Sequence, residues 1–312
     1  MTESSLHVKV ADGLRLHVRT WGGQPPVLLL VHGFGQGSFV WRSLAASMSD
    51  YAMAAVDLRG HGESDHDRLR RYALASHVSD VVEVALSLNL QDYVLVGHSL
   101  GAAVSILAAQ RLPRPRAVVI VDGGPGLSPA SSAYIREEFL RLKFRYHSAA
   151  EYQQHLEATM PLAAPPLLQT LAIDALQQLG PEEFRLKADR ALGYQEELVE
   201  SLDAALWQAL QRMQMPLLLI RGAASSLCSK RWSDDVRARV PHIEIETVAR
   251  AAMRSCWTIR CTSMRSLPST LRDGWVPPAA SPPSNPRTWA NDALACGNHP
   301  FQLSPQHDPG GP

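Results

Sequence analysis

Tyr93-Val94-Leu95-Val96-Gly97-His98-Ser99-Leu100-Gly101, followed by the helix-like run Ala102 to Arg111, decides the fold of this 312-residue chain. The apolar run reads as a strand, and G-x-S-x-G at its end is a nucleophile-elbow pattern in a strand–turn–helix setting. Such a turn is too tight for side chains at its flanks, so glycines hold positions 97 and 101. It lifts the Ser99 hydroxyl to the top of a sheet, where a substrate can reach it. The competing reading is a glycine-rich turn with an incidental serine. The motif alone is a modest signal, so the surrounding sequence has to decide.

Upstream, Val27-Leu28-Leu29-Leu30-Val31 is a short continuous apolar run, as expected of a strand buried on both faces in a parallel sheet. It leads into His32-Gly33-Phe34-Gly35-Gln36-Gly37. Acyl transfer needs two backbone N–H groups aimed at the developing oxyanion. One comes from the residue after the nucleophile, here Leu100, and the other from this loop, where Phe34 is the best placed. Glycines at 33, 35 and 37 let the backbone approach a ligand closely.

Met53-Ala54-Ala55-Val56-Asp57 then leads into Leu58-Arg59-Gly60-His61-Gly62-Glu63-Ser64. Strand-H-G-F-G, D-L-R-G-H-G-E-S and G-H-S-L-G, in that order, resemble the α/β-hydrolase superfamily, in its esterase, lipase and C–C hydrolase branch. The resemblance runs from about Val27 to Asp122, with a weaker extension to Val248. It implies a doubly wound, mostly parallel sheet and a serine hydrolase that cleaves a carboxylic ester or thioester through an acyl-Ser99 intermediate, with no cofactor. One fold hosts many chemistries, so the substrate is far less specified than the fold. His32, His61 and His98 read as structural rather than as the general base. No H-E-x-x-H or paired C-x-x-C occurs, so no metal is expected.

Composition narrows the class. The chain is 46% hydrophobic, with 30 basic and 30 acidic residues, which argues against an electrostatic nucleic-acid binder. No apolar stretch approaches the roughly 20 residues needed to span a bilayer. Met1 to Ser5 lacks a basic segment followed by an apolar core, so no signal peptide is expected. Four cysteines without framework spacing do not suggest a disulfide scaffold. The expectation is a cytoplasmic protein whose partner is a small acyl ester or thioester, free or carrier-bound.

Along the chain, Leu6 to Val10 and Leu14 to Thr20 alternate around Asp12-Gly13, a hairpin signal. Strands near 27–31, 53–57, 93–97 and 117–122 alternate with helical stretches, as in a parallel α/β sheet. Gly123-Gly124-Pro125-Gly126 breaks that pattern, and Ser131 to Met213 reads helical, for example over Tyr134 to Phe144, Ala150 to Met160 and Tyr194 to Met213. The implied division is a hydrolase core over 1–126 and 214–249, a helical cap over 127–213, and an irregular tail over 250–312. Within the core, Leu217 to Gly222 and Ile243 to Val248 read as strands, and Lys230 to Val240 as a helix.

A nucleophilic serine needs a histidine base and a carboxylate to orient it. In the resembling family the acid usually follows the strand that ends here at Gly222. The sequence there is Ala223-Ala224-Ser225-Ser226-Leu227, with Ser226 about where an Asp is expected. Asp122, at the end of the preceding strand, is the substitute, against the plainer reading of a strand-end residue capping a loop. Asp234 and Asp235 read as exposed on a helix.

The histidine should lie near residue 250, where Val248-Ala249-Arg250-Ala251-Ala252-Met253-Arg254 contains none. From Arg250 onward the chain holds 10 of its 22 prolines and three of its four cysteines, with no Glu or Lys. Read from the third base of each codon, Ala252 to Ser266 permits His-Glu-Val-Leu-Leu-Asp-Asn-Pro-Val-His-Phe-Asn-Glu-Val. That string resembles a hydrolase C-terminus, and Ala251 permits a Gly before the His. The tail after about Ala249 therefore reads as a frame-shifted translation. If it is genuine, the base must come from His299, in Gly297-Asn298-His299-Pro300, or from His307 or His242. The alternatives carried alongside the esterase reading are a pathway thioesterase or acyltransferase on a carrier-bound acyl group, a C–C bond hydrolase, and a catalytically dead hydrolase fold that binds rather than cleaves.

Overall fold

The computed structural model describes residues 2–249 apart from 24, 26, 114 and 196–198. It begins with the predicted hairpin: β1 (Glu3–Lys9) pairs antiparallel with β2 (Arg15–Trp21), and Gly13 turns at φ +83°. β3 (Leu28–Val31), α1 (Arg42–Ser47), β4 (Met53–Val56), α2 (Leu74–Ser87), β5 (Val94–His98), α3 (Leu100–Ala108) and β6 (Ala117–Val121) follow in alternation. Every residue of β3, β4, β5 and β6 is buried, because helices cover both faces of the sheet.

Between β6 and the next strand of that sheet lie α4 (Pro129–Leu140), β7 (Arg145–Tyr146), α5 (Ala149–Thr159), α6 (Pro165–Ala175), β8 (Leu176–Gly180), β9 (Glu183–Leu186) and α7 (Val199–Arg212). The stretch read as helical also carries a three-stranded antiparallel sheet, in the order β7-β9-β8. Tyr194 closes a 3-10 turn instead of opening a helix. α7 packs on α3, where Gln110 donates to the Ala209 carbonyl at 3.3 Å and Leu206 and Leu210 join the core beneath the sheet. β10 (Leu217–Gly222), α8 (Lys230–Arg239) and β11 (Ile243–Val248) complete the described chain.

The main sheet has eight strands in the order β1-β2-β4-β3-β5-β6-β10-β11, parallel from β4 to β11 and antiparallel among β1, β2 and β4. This is the alpha/beta hydrolase fold. From β3 the chain winds outward to β4 on one side and through β5 and β6 on the other. The direction of winding therefore reverses at the β3/β5 pair, and open α/β sheets bind their ligands beyond the carboxyl ends of the strands at such a switch point.

The Asp57–Ser64 loop is a clamp on this scaffold. Asp57 is buried and accepts from the Ser38 and Glu63 N–H groups and from His17 Nδ1. Arg59 forms a two-pronged pair with Asp80, both contacts at 2.6 Å. A Cβ on Gly62 would lie 2.3 Å from Asp57 Cγ, so only glycine fits there.

Candidate active site

β5 ends at His98, and the chain turns at Ser99 with φ 51° and ψ −114° before α3 begins. That backbone is rarely populated by residues with a Cβ, and it persists only when neighbours over-determine it. The neighbours are close. A Cβ on Gly97 would sit 2.1 Å from the Gly101 carbonyl oxygen, and one on Gly101 would sit 2.3 Å from the Val31 oxygen. A Cβ on Gly123 would approach Ser99 Cα to 2.9 Å. The Ser99 N–H is anchored on the Val121 carbonyl at 2.9 Å. Strand, turn and helix are thus packed too tightly for any residue but glycine at these flanks, and Ser99 is half-buried at the switch point.

Phe34 stands at the same edge, in the loop after β3. Its N–H and that of Leu100, the first of α3, have no acceptor among the described residues. Helix N-terminal N–H groups lack intrahelical partners. Gln36 fixes the loop: its Oε1 accepts from the Gly33 N–H at 3.1 Å and lies 3.2 Å from His98 Nδ1. Across the loop, the Phe34 ring meets Phe139 of α4 edge-on, with centroids 4.9 Å apart.

Two cavities open at Ser99. The smaller, about 100 Å³, runs between the Phe34–Gln36 loop and α4, α5 and α6, and is walled by Phe39, Phe139, Leu142, Tyr152, Met160 and Leu171. The larger, about 230 Å³, lies toward α7 and includes Leu100, Leu127, Ile135, Arg136 and Leu206. The sequence reading named none of these wall residues apart from Leu100. Apart from Phe39, just past the Gly37 loop, they come from the insertion, and nothing local in the chain marks which of its side chains face Ser99.

His32 and His61 make structural hydrogen bonds, as expected of them. His32 Nδ1 donates to the Gly33 carbonyl at 2.7 Å, and its Nε2 accepts from the Leu58 N–H at 3.0 Å, so both nitrogens are used. His61 Nδ1 donates to the Arg59 carbonyl at 3.0 Å. Burial pushes the pKa of both below the usual histidine range, so both are neutral at neutral pH. His242 precedes β11, at the amino end of the parallel strands. Six residues of strand, about 20 Å, separate that end from the edge that carries Ser99. It is excluded as the base. His299 and His307 lie outside the described residues.

Asp122 follows β6 with φ 45° and is buried. One carboxylate oxygen accepts the Gly222 N–H at 3.2 Å, and the other accepts the Ser225 hydroxyl at 2.9 Å. Ser225 Oγ in turn accepts the Cys228 N–H at 3.1 Å. A carboxylate thus reaches the loop after β10 even though Ser226 in that loop is exposed and carries none. Asp234 and Asp235 sit on α8 in ion pairs with Lys230 and Arg239, as expected of exposed helix residues. Among the described residues no cluster of three or more His, Cys, Asp or Glu could hold a metal, and no helix is long and apolar enough to cross a membrane.

A sequence profile described as the alpha/beta hydrolase family matches residues 28–308. The 3-hydroxybutyrate-oligomer hydrolase of Cupriavidus necator is 26% identical over 245 residues, covering 73% of this chain and 83% of that protein. The 2-(acetamidomethylene)succinate hydrolase of Mesorhizobium japonicum is 29% identical over 214 residues, covering 66% of this chain and 74% of that one. The crystal structure of E-2-(acetamidomethylene)succinate hydrolase is similar at a TM-score of 0.75 and 24% identity, over 87% of this chain and 98% of that chain. The thioesterase domain from the curacin biosynthetic pathway is similar at a TM-score of 0.70 and 18% identity, over 86% and 99%. These two structural likenesses bear on the fold alone.

Proposed function

The chain belongs to the alpha/beta hydrolase family, and from that premise we propose a serine hydrolase of carboxylic esters or thioesters that works through an acyl-Ser99 intermediate. The observation that carries the reading is the Ser99 backbone, held at φ 51° and ψ −114° by glycine contacts at the mouth of two cavities. Both curated relatives described above are hydrolases, which supports cleavage by water.

In this reading Ser99 Oγ attacks the carbonyl carbon as its proton passes to a histidine. The N–H groups of Phe34 and Leu100 hold the negative oxygen of the tetrahedral adduct. The adduct collapses, and the alcohol or thiol leaves with the proton from the histidine. Water then attacks the acyl-serine, losing a proton to the histidine, which passes it to the departing Ser99 oxygen as the acid is released. Asp122 is the group assigned to orient the histidine. The histidine is the one encoded when the codons from Ala252 are read from their third base. β11 delivers the chain at Val248, opposite Gly222, to the edge where Ser99 and Asp122 stand.

A second reading is a hydrolase fold without catalysis, favoured by Ser226 in place of the expected acid and by the structural roles of His32 and His61. Triad members act as a unit, and losing one costs roughly 10⁴- to 10⁶-fold in rate. The chain as sequenced is therefore expected to be weak or inactive, and a frame-restored version active. Resequencing the gene across the codons for Thr247 to Ser255 tests the frame. A fluorophosphonate probe that labels the frame-restored protein but not its Ser99→Ala variant supports the hydrolase. A folded, frame-restored protein that neither takes the probe nor hydrolyses p-nitrophenyl acetate or an acyl thioester supports the non-catalytic reading.

A further inference from the structure

The larger cavity at Ser99 has a wall that is mostly hydrocarbon, with one cation in it. Leu100, Leu127, Ile135, Leu202 and Leu206 supply much of the apolar surface. Arg136, on α4, is the sole cationic side chain among the described residues of that wall. His77 also lines it, but burial lowers its pKa to about 3, so it carries no charge at neutral pH. Arg136 is half-buried, and its guanidinium has no hydrogen bond or ion pair with any described residue. A guanidinium presents five donors in a planar fork that matches a carboxylate. Among the described residues that fork has no partner beside the apolar wall, and an incoming anion supplies one.

The anion is limited to a single charge. Asp203 is the one carboxylate among the described residues of the same wall, and it already accepts the Gly126 N–H at 2.5 Å. Its negative charge opposes a dianion such as a phosphate, while one carboxylate is balanced by Arg136. The apolar surface between Ser99 and Arg136 suits a short hydrocarbon spacer.

We propose that this cavity binds the free carboxylate end of the substrate, so that the preferred ester carries a carboxylate separated from the scissile carbonyl by a few methylenes, paired with Arg136. The proposal rests on the reading of Ser99 as the site of ester attack and adds the class of ester.

Calorimetric titration of the full chain tests it, with Ser99→Ala as the background so that no turnover intervenes. The two probes are monophenyl glutarate, an anion at neutral pH, and phenyl pentanoate, its neutral counterpart. The anionic ester should bind about ten-fold more tightly or better, the usual scale for a hydrogen bond to a charged group. That advantage should shrink as salt is raised. Adding Arg136→Gln should erase it and leave the affinity for phenyl pentanoate unchanged, and Arg136→Lys should restore part of it. Equal affinity for the two esters, or an anionic preference that survives Arg136→Gln, overturns the proposal and leaves the ester-hydrolase reading intact. Binding of neither ester by the folded protein overturns both.

Discussion

The carboxylate of Asp122 accepts the Ser225 hydroxyl at 2.9 Å, joining the end of β6 to the loop after β10. The two residues are adjacent in space only because β6 and β10 are parallel neighbours across an insertion that includes four helices. Through this contact a carboxylate at the end of one strand reaches a loop that carries none. The same hydrogen-bond chain, Cys228 N–H to Ser225 Oγ to Asp122, makes the loop a fixed wall beside Ser99.

Ser225→Ala removes the middle of that chain. It leaves a buried carboxylate oxygen and the Cys228 N–H without their partners, which costs roughly 1–3 kcal/mol. Urea unfolding should show a lower midpoint with an unchanged slope. In the frame-restored protein, Asp122→Asn should lower kcat about 10³- to 10⁴-fold with little change in KM, the pattern of a lost orienting acid. An unchanged kcat would assign the acid to another residue.

Ser99→Gly should make the protein more stable while abolishing hydrolysis. The Ser99 backbone lies in a region that costs roughly 1–3 kcal/mol for a residue with a Cβ, and glycine enters it freely. Ser99→Ala keeps the Cβ and should gain little. Comparing the two by thermal unfolding isolates the backbone strain from the loss of the hydroxyl. Equal melting temperatures for the two variants would show that the strain is not stored in the backbone.

The core strands were legible because each is a short apolar run bounded by Gly, Asp or Pro, and because buried parallel strands need no alternation. The elbow was legible because its glycines are required sterically by Val31 and Gly101. β8 was not. α6 runs into Leu176-Gln177-Gln178-Leu179-Gly180 with no Gly or Pro at the junction, and most of β8 is exposed, so local sequence carries no stop signal. Arg136 was hidden for a related reason. Polar and apolar residues of α4 are not segregated onto opposite faces, so the helix gives no clue to which side meets Ser99. The partners of Asp122 were hidden because they come from residues about a hundred positions away.

Phe139 is the wall residue whose removal should change substrate choice. Its ring contacts Phe34 and also Phe144, at centroid distances of 4.9 and 5.1 Å, and lies 3.1 Å from where a Gly35 Cβ would be. Phe139→Ala should enlarge the smaller cavity, where the leaving group lies when the acyl chain fills the larger one, and cost about 3–5 kcal/mol in stability. In the Ser99→Ala background the variant should favour naphthyl pentanoate over phenyl pentanoate more strongly than its parent does. An unaltered preference would place the leaving group elsewhere.

Acid should destabilise this protein from just below neutrality. His32, His61 and His77 are buried and held neutral, with pKa values lowered from 6.5, chiefly by burial and for His77 to about 3. Their folded pKa values lie below the unfolded ones, so below pH 6.5 the unfolded chain binds protons that the folded chain does not. The stability they confer is present above pH 6.5 and is lost as pH falls, for His77 down to about pH 3. His77, with its folded pKa near 3, gives a slope approaching about 1.4 kcal/mol per pH unit, and His32 and His61 add to it in the same direction. Asp57 adds a second loss at lower pH. Burial would raise its pKa, but the hydrogen bonds from His17 and from the Glu63 N–H hold it at about 2, down from 3.8. Its contribution is present above pH 3.8 and disappears as pH falls toward 2. Urea midpoints measured at pH 7.5, 6.5, 5.5 and 4.5 should therefore decline steadily below 6.5. His77→Leu, a neutral side chain of similar bulk, should flatten that decline by about one proton, or roughly 1.4 kcal/mol per pH unit. A decline of the same steepness in His77→Leu would mean that His77 is not the buried neutral group the fold makes it.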